Sequence, residues 1–244
     1  MGNIASDQGE YNRAQTLYEE SLAMKRVLND KRGISATLNN LGLVAWAQSE
    51  YTTAQTLFEQ SLLLKREIGA KQGVANLLGN LGLVANDHND YDTARTLLAE
   101  SLALRREMGD TWGLTIALSG LGSVAFNQGD YEAAQLLLAE SLTLSAELDD
   151  ALGVAYNLAG LAEVAMMLNH MDRAATLVAT VEQILVDTKA ALEPAYRTRL
   201  NKIVATAQTS LSGPSFQSAW AAGEQMTLAE AVAYALATPL PHDD

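Results

Sequence analysis

A block of 40 residues recurs along this chain and leaves few folds open to it. Residues 41–80 read LGLVAWAQSEYTTAQTLFEQSLLLKREIGAKQGVANLLGN, and residues 81–120 match them at 18 of the 40 positions. Residues 121–160 continue in the same register, with 19 of 40 identical to the block before. A fixed period of this length is the mark of a stacked array, in which each block has an apolar face that only its neighbours can cover.

Inside a block the apolar spacing predicts two helices. Over residues 73–88, Val74, Leu77, Leu78, Leu81, Val84 and Ala85 form one stripe at steps of three and four. Asn89-Asp90 makes a turn. A second helix runs over 91–108 with Ala94, Leu97, Leu98, Ser101, Leu102 and Leu104 inward, and Gly109-Asp110 ends it. The corresponding turns fall at 8–9, 49–50, 128–129 and 169–170, and the breaks between blocks at 29–30, 69–70 and 149–150. Gly42, Gly82 and Gly122 in the first helices, and Ala14, Ala54, Ala94, Ala134 and Ala174 in the second, let neighbouring helices approach closely. Residues 1–193 hold no proline, which suits uninterrupted helices, since an interior proline costs about 3 kcal/mol.

The expected architecture is all-α: a right-handed superhelical solenoid of antiparallel helix pairs with a C-terminal helical cap. Residues 1–189 hold about five helix-pair blocks: 1–40, 41–80, 81–120, 121–160 and a degenerate 161–189. In the fifth, Ala162 replaces the glycine and Met171 the tyrosine of the other blocks. Met1 stands where Leu41, Leu81, Leu121 and Leu161 stand. The first block is therefore expected to start part-way along a helix, as in an excised fragment; a native short first helix is the alternative.

Residues 190–238 are expected to cap the array. One helix opens at Glu193-Pro194 and runs to about 210, and residues 211–215 break the chain. A short helix then holds Phe216, Ala219 and Trp220 and stops at Gly223, and a last one is opened by a capping box at Thr227 and Glu230. Residues 239–244 are expected to be a flexible tail.

A formal net charge of −13 argues against nucleic acid or an anionic membrane surface as partner, because such binding rests on cations that neutralise phosphates. With no cysteine there are no disulfides, thiolate metal sites or cysteine nucleophiles. No run of apolar residues is long enough to span a bilayer. His88, His170 and His242 sit in turns or the tail of separate segments, so no metal site is expected. The carboxylates of Glu19-Glu20 and Asp149-Asp150 fall on solvated faces or turns, not across a cleft. The expectation is a non-enzyme without cofactor or metal, in the cytoplasm. The cation pairs Lys25-Arg26, Lys65-Arg66 and Arg105-Arg106, near the ends of second helices, read as complements to the helix dipole.

The run of Leu41-Gly42, Tyr51, Ala54, Phe58 and Leu62, recurring with substitutions in every block, resembles the tetratricopeptide repeat, with a period of 40 in place of 34 and without the usual terminal proline. Residues 112–150 and the segment 215–236 also resemble the sensor arrays of bacterial signal-transduction ATPases and maltose-activator-like transcription regulators. That second resemblance implies a regulatory piece of a larger signalling protein with an ATPase module outside these residues. No GxxxxGK[ST] loop or DNA-reading helix is present here, so neither activity carries over.

The first resemblance implies that first helices line a concave groove for a partner peptide or protein. By position that groove holds Asn39, Leu43 and Trp46; Leu83, Asn86 and Asp87; Ile116, Ser123 and Phe126; and Tyr156, Glu163, Met166 and Met167. Trp46, Phe126 and Tyr156 either form an aromatic strip along it or pack inward as core. The set contains no lysine or arginine, which disfavours a clamp for a C-terminal carboxylate. Asn40 and Asn80 sit where asparagines grip peptide backbone in other long-repeat arrays, or are simply polar residues at a helix flank. Alternatives to partner binding are a small-molecule sensor and an intramolecular array that holds an ATPase of the same parent inactive. Self-association through the first block is a further expectation.

Overall fold

The computed structural model describes residues 2–190, 192 and 194–237, and among these every element is a helix or a turn. The first helices are α1 (Gly2–Asp7), α3 (Lys31–Ala47), α5 (Lys71–Asp87), α7 (Thr111–Asn127) and α9 (Ala151–Met167). Each is followed by a second helix: α2 (Tyr11–Val27), α4 (Tyr51–Glu67), α6 (Tyr91–Met108), α8 (Tyr131–Glu147) and α10 (Met171–Thr188). Three more complete the chain: α11 (Pro194–Ser210), α12 (Gly213–Glu224) and α13 (Leu228–Leu236). The expected tail at 239–244 lies outside the described residues.

The turns show why helices of this length recur so regularly. Each ends on one residue in the left-handed region: glycine at 9, 69, 109 and 129, but Asn29, Ser49, Asn89, Asp149 and Asn169 elsewhere. The next residue then donates its N–H five residues back, as Asp30 does to Lys25 O at 3.0 Å and Asp90 to Ala85 O at 2.8 Å. This closes the helix with orphan carbonyls satisfied. The same aspartate opens the next helix: the Asp30 carboxylate accepts from the Gly33 N–H at 3.0 Å, and Asp150 accepts from Gly153 N–H at 2.9 Å. One residue thus stops one helix with its main-chain N–H and starts another with its side chain.

The chain divides into two compact units, Met1–Gly113 and Leu114–Asp244. In the first, a bulky residue of each second helix lies over the glycine of its first helix. A Cβ on Gly42 would fall 2.6 Å from the ring of Phe58, which is fully buried. One cluster gathers Tyr18, Leu22, Leu38, Leu41 and Val44; the next gathers Phe58, Leu77, Leu78, Leu81 and Val84; Leu57 touches both.

The second unit has a single larger cluster. It joins Leu138, Leu142, Leu158, Leu161, Leu177 and Val181 to Leu200 and Ile203 of α11 and to Ala231 and Ala235 of α13. α11 packs on α10 and α9. α12 lies on α10 at very close range: the Thr176 and Thr180 hydroxyls donate to Ala219 O and Gly223 O, both at 3.1 Å, and a Cβ on Gly223 would run into the Thr176 carbonyl. The expected break at 211–215 is shorter than the sequence suggested. Only Leu211 and Ser212 lie outside a helix, and Gly213-Pro214 opens α12, because proline is tolerated in a first helical turn, where its missing N–H has no helical acceptor. The capping box at Thr227 and Glu230 is present. Its hydrogen bonds from the Thr227 N–H and hydroxyl hold the Glu230 carboxyl below its ordinary value. At the other end of α13, the buried guanidinium of Arg173 donates to Ala235 O at 2.8 Å and lies over the Tyr234 ring.

Candidate functional site: the first-helix face

In the first unit, α3 and α5 set side by side five of the expected groove residues. The Trp46 indole N–H donates to Asp87 Oδ2 at 2.7 Å, and the Asn80 amide donates to Asn39 Oδ1 at 3.1 Å. These two links tie successive first helices together. The edge of the Trp46 ring is thereby fixed, and the ring stays half-buried. Leu43 is 39% exposed and Leu83 half-buried on the same helices. Asn86, expected with them, is buried at 5% exposure. Asn40 donates to Asn3 Oδ1 at 3.4 Å, alongside the Tyr18 hydroxyl at 2.7 Å.

In the second unit the corresponding residues have other partners. The ring of Phe126 lies 5.6 Å from that of Tyr131 and packs against the core. Tyr156 meets Tyr196 of α11 edge-on at 4.6 Å, and Glu163 accepts from Arg199 at 3.3 Å, with the Arg199 guanidinium over the Tyr196 ring. Burial pushes the Glu163 carboxyl above its ordinary value, although Arg199 and Lys202 pull it down. Ile116, Ser123 and Met166 are half-buried, and Met167 is 48% exposed. α11 therefore engages Tyr156 and Glu163, a role its sequence did not announce.

The cation pairs do more than complement a dipole. The first of each pair is held by specific hydrogen bonds: Lys25 donates to Thr37 Oγ1 of the following first helix at 2.7 Å, and Arg105, 3% exposed, donates to Ser101 of its own helix, Asn76 of the preceding first helix and Asp110 of the next turn. The second reaches along the array, as Arg66 does to Glu100 at 3.0 Å. The signal was their identical place in the first three blocks.

Among the described residues no group of three metal-ligating side chains converges, and no helix is long and apolar enough to cross a membrane. His88 lies beside the Tyr51 ring at 6.0 Å.

Residues 1–62 and 33–107 match the family model described as tetratricopeptide repeat. No curated protein matches the sequence. Among solved structures, the chain is similar to BtubC (BKLC) from P. vanneervenii, with a TM-score of 0.65, 17% identity, and 79% of this chain and 80% of that chain covered. It is likewise similar to the nearly identical TPR-like repeats of a proposed kinesin light chain from Podosopora anserina, at TM-score 0.60 and 16% identity, over 78% of this chain and 94% of the other. A variant of those repeats gives 0.61. At such identities the likeness speaks for the fold alone, an all-α array of helix-pair repeats. The chain is thus an all-α array of helix-pair repeats, of which residues 1–107 match the tetratricopeptide-repeat model.

Proposed function

We propose that this array binds a peptide or protein partner along the first-helix face of its first unit, and that it serves as the regulatory piece of a larger cytoplasmic signalling protein. Tetratricopeptide repeats generally mediate protein–protein interaction, and their fold is typically a non-catalytic scaffold. The observation that carries the reading is the Trp46–Asp87 bond. It holds a large, partly exposed ring in one place beside Leu43 and Leu83, so a partner meets a surface already ordered. Rigid aromatic anchors in such settings dominate interface energetics, and side chains fixed in advance lose less freedom on binding. The exposed Asp87 carboxylate, with no lysine or arginine among the expected groove residues, favours a partner segment that is neutral or basic at this point.

The test is affinity capture from cells, comparing the parent chain with a Trp46→Ala, Leu83→Asp variant that retains full helical signal. The reading expects a protein retained by the parent and lost by the variant. Equal retention by both overturns it. A tightly bound metabolite released on denaturation would instead support a small-molecule sensor.

A further inference from the structure

In the second unit a short helix fills the groove between two successive second helices. α13 packs on α8, α9 and α10, and its Ala231 and Ala235 join the buried cluster that holds Leu161, Val164, Ala165 and Leu177. The two alanines are four apart, so the helix can lie close. The end of α13 meets a cation that belongs to the groove: the Arg173 guanidinium donates to Ala235 O at 2.8 Å and to Tyr234 O at 3.4 Å. A cation there satisfies last-turn carbonyls and opposes the negative end of the helix dipole.

Three blocks earlier the same positions recur in the first unit. Leu41, Val44, Ala45 and Leu57 stand where Leu161, Val164, Ala165 and Leu177 stand, on the complete helices α3 and α4, with α2 as the facing wall. Here they floor an open cavity of about 140 Å³. Leu57 is half-buried, whereas Leu177 is fully buried. The walls differ in the same sense. Glu19 and Thr53 are exposed, but Ala139 and Arg173, at the same places in the second unit, are half-buried and buried. The charge differs too: Thr53 replaces the arginine, and Glu50 replaces His170 beside it.

We propose that this groove binds a short helix of a partner protein, with alanine-sized residues four apart on its inward face and lysine or arginine in its last turn. The floor repeats the one on which α13 lies, a helix of small residues laid in a groove. The rim sets the charge. In the second unit the groove supplies the cation at the helix end. In the first it offers Thr53 between Glu19 and Glu50, so the cation has to come with the helix. There it complements its own dipole and two exposed carboxylates together. α13 carries Glu230 and no lysine or arginine, so the first unit selects a helix of different charge. The groove is separate from the first-helix face proposed above, so either can fail without the other.

The test uses the full chain and two fluorescent peptides. One has the sequence of residues 226–237; the other carries Ala233→Lys and Ala237→Lys, both at exposed positions of the original. The lysine peptide should bind saturably, and the unmodified one about tenfold more weakly. Thr53→Trp, which fills the groove from an exposed position, should weaken the lysine peptide by more than about tenfold with helical signal unchanged. Thr53→Arg with Glu50→Gln, which gives the first unit the cation of the second, should remove the preference between the peptides. Trp46→Ala should leave binding as it is. Absence of saturation, equal binding of the two peptides by the parent, or a preference that survives Thr53→Arg with Glu50→Gln would each overturn the proposal. So would binding indifferent to Thr53→Trp, the result expected if the peptide only displaces α13 from its own groove.

Discussion

In the first unit the polar cluster around Arg105 is charged and buried: the guanidinium joins Ser101, Asn76 and Asp110. In the second unit the same place in the block is Ser145, and a neutral network takes over. Asn157 donates to Ser145 Oγ at 3.3 Å and to Gly153 O, while Ser119 bonds Asn157 and Ser141. The long-range ion pairs differ in the same way. Lys31–Glu67, Arg66–Glu100 and Lys71–Glu107 link neighbouring blocks of the first unit, whereas Ala151 and Leu152 stand in the second where Lys31-Arg32 stand in the first. The first unit holds eleven lysines and arginines against fourteen acids, the second five against fifteen. Identical blocks can be stacked by repeating one polar seam. Where the blocks end, the second unit instead gathers one apolar cluster and closes it with α11, α12 and α13.

The comparison can be broken most strongly in the cores. Phe58→Ala should cost the first unit about 3–5 kcal/mol and speed amide exchange in the first unit before the second. If both units loosen together, their separate cores do not set separate stabilities. Next in size, Arg105→Met should destabilise by about 2 kcal/mol, because it leaves Asp110 and Asn76 without their shared donor. Chemical denaturation should show this, and a stability equal to the parent's would mean the charged seam contributes no more than the neutral one. A smaller effect, of opposite sign, is expected at Ser49, which sits at φ 62 where four other turns carry glycine. Ser49→Gly should stabilise by about 1 kcal/mol, and an unchanged or lower melting temperature would contradict it.

The smallest expected effect is a pH dependence in the second unit. Glu163 has a carboxyl pushed up by burial, so the fold disfavours its charged form. Its contribution is best where it is protonated and is lost as pH rises through the carboxylate range. Glu163→Gln should therefore melt higher than the parent at neutral pH and show no gain in acid. A gain of the same size at both would place the effect elsewhere.

Much of this was legible in the sequence. The stripe of Val74, Leu77, Leu78 and Leu81, the turn at Asn89-Asp90 and the capping box at Thr227 each follow from local chemistry, and each is found where the residues put it. The first-helix face could be read only as positions. Trp46 and Asp87 lie 41 residues apart, and nothing local to either says that they bond. Tyr156 and Glu163 were harder still, because their partners belong to α11, which keeps the packing of a first helix through Leu200 and Ile203 but almost none of the block's sequence. Asn86 carries a residue type typical of a surface and is buried. Burial there depends on neighbours outside its own helix.

The most direct test of the proposed function is site-specific photo-crosslinking in cells. A photoreactive residue is placed at Leu43 or Leu83 on first helices, and at Leu63 or Leu136, which are 61% and 67% exposed on second helices. The account predicts a partner adduct from Leu43 and Leu83 and none from Leu63 and Leu136. Adducts from the second-helix positions alone would contradict it and move the binding surface to the opposite face.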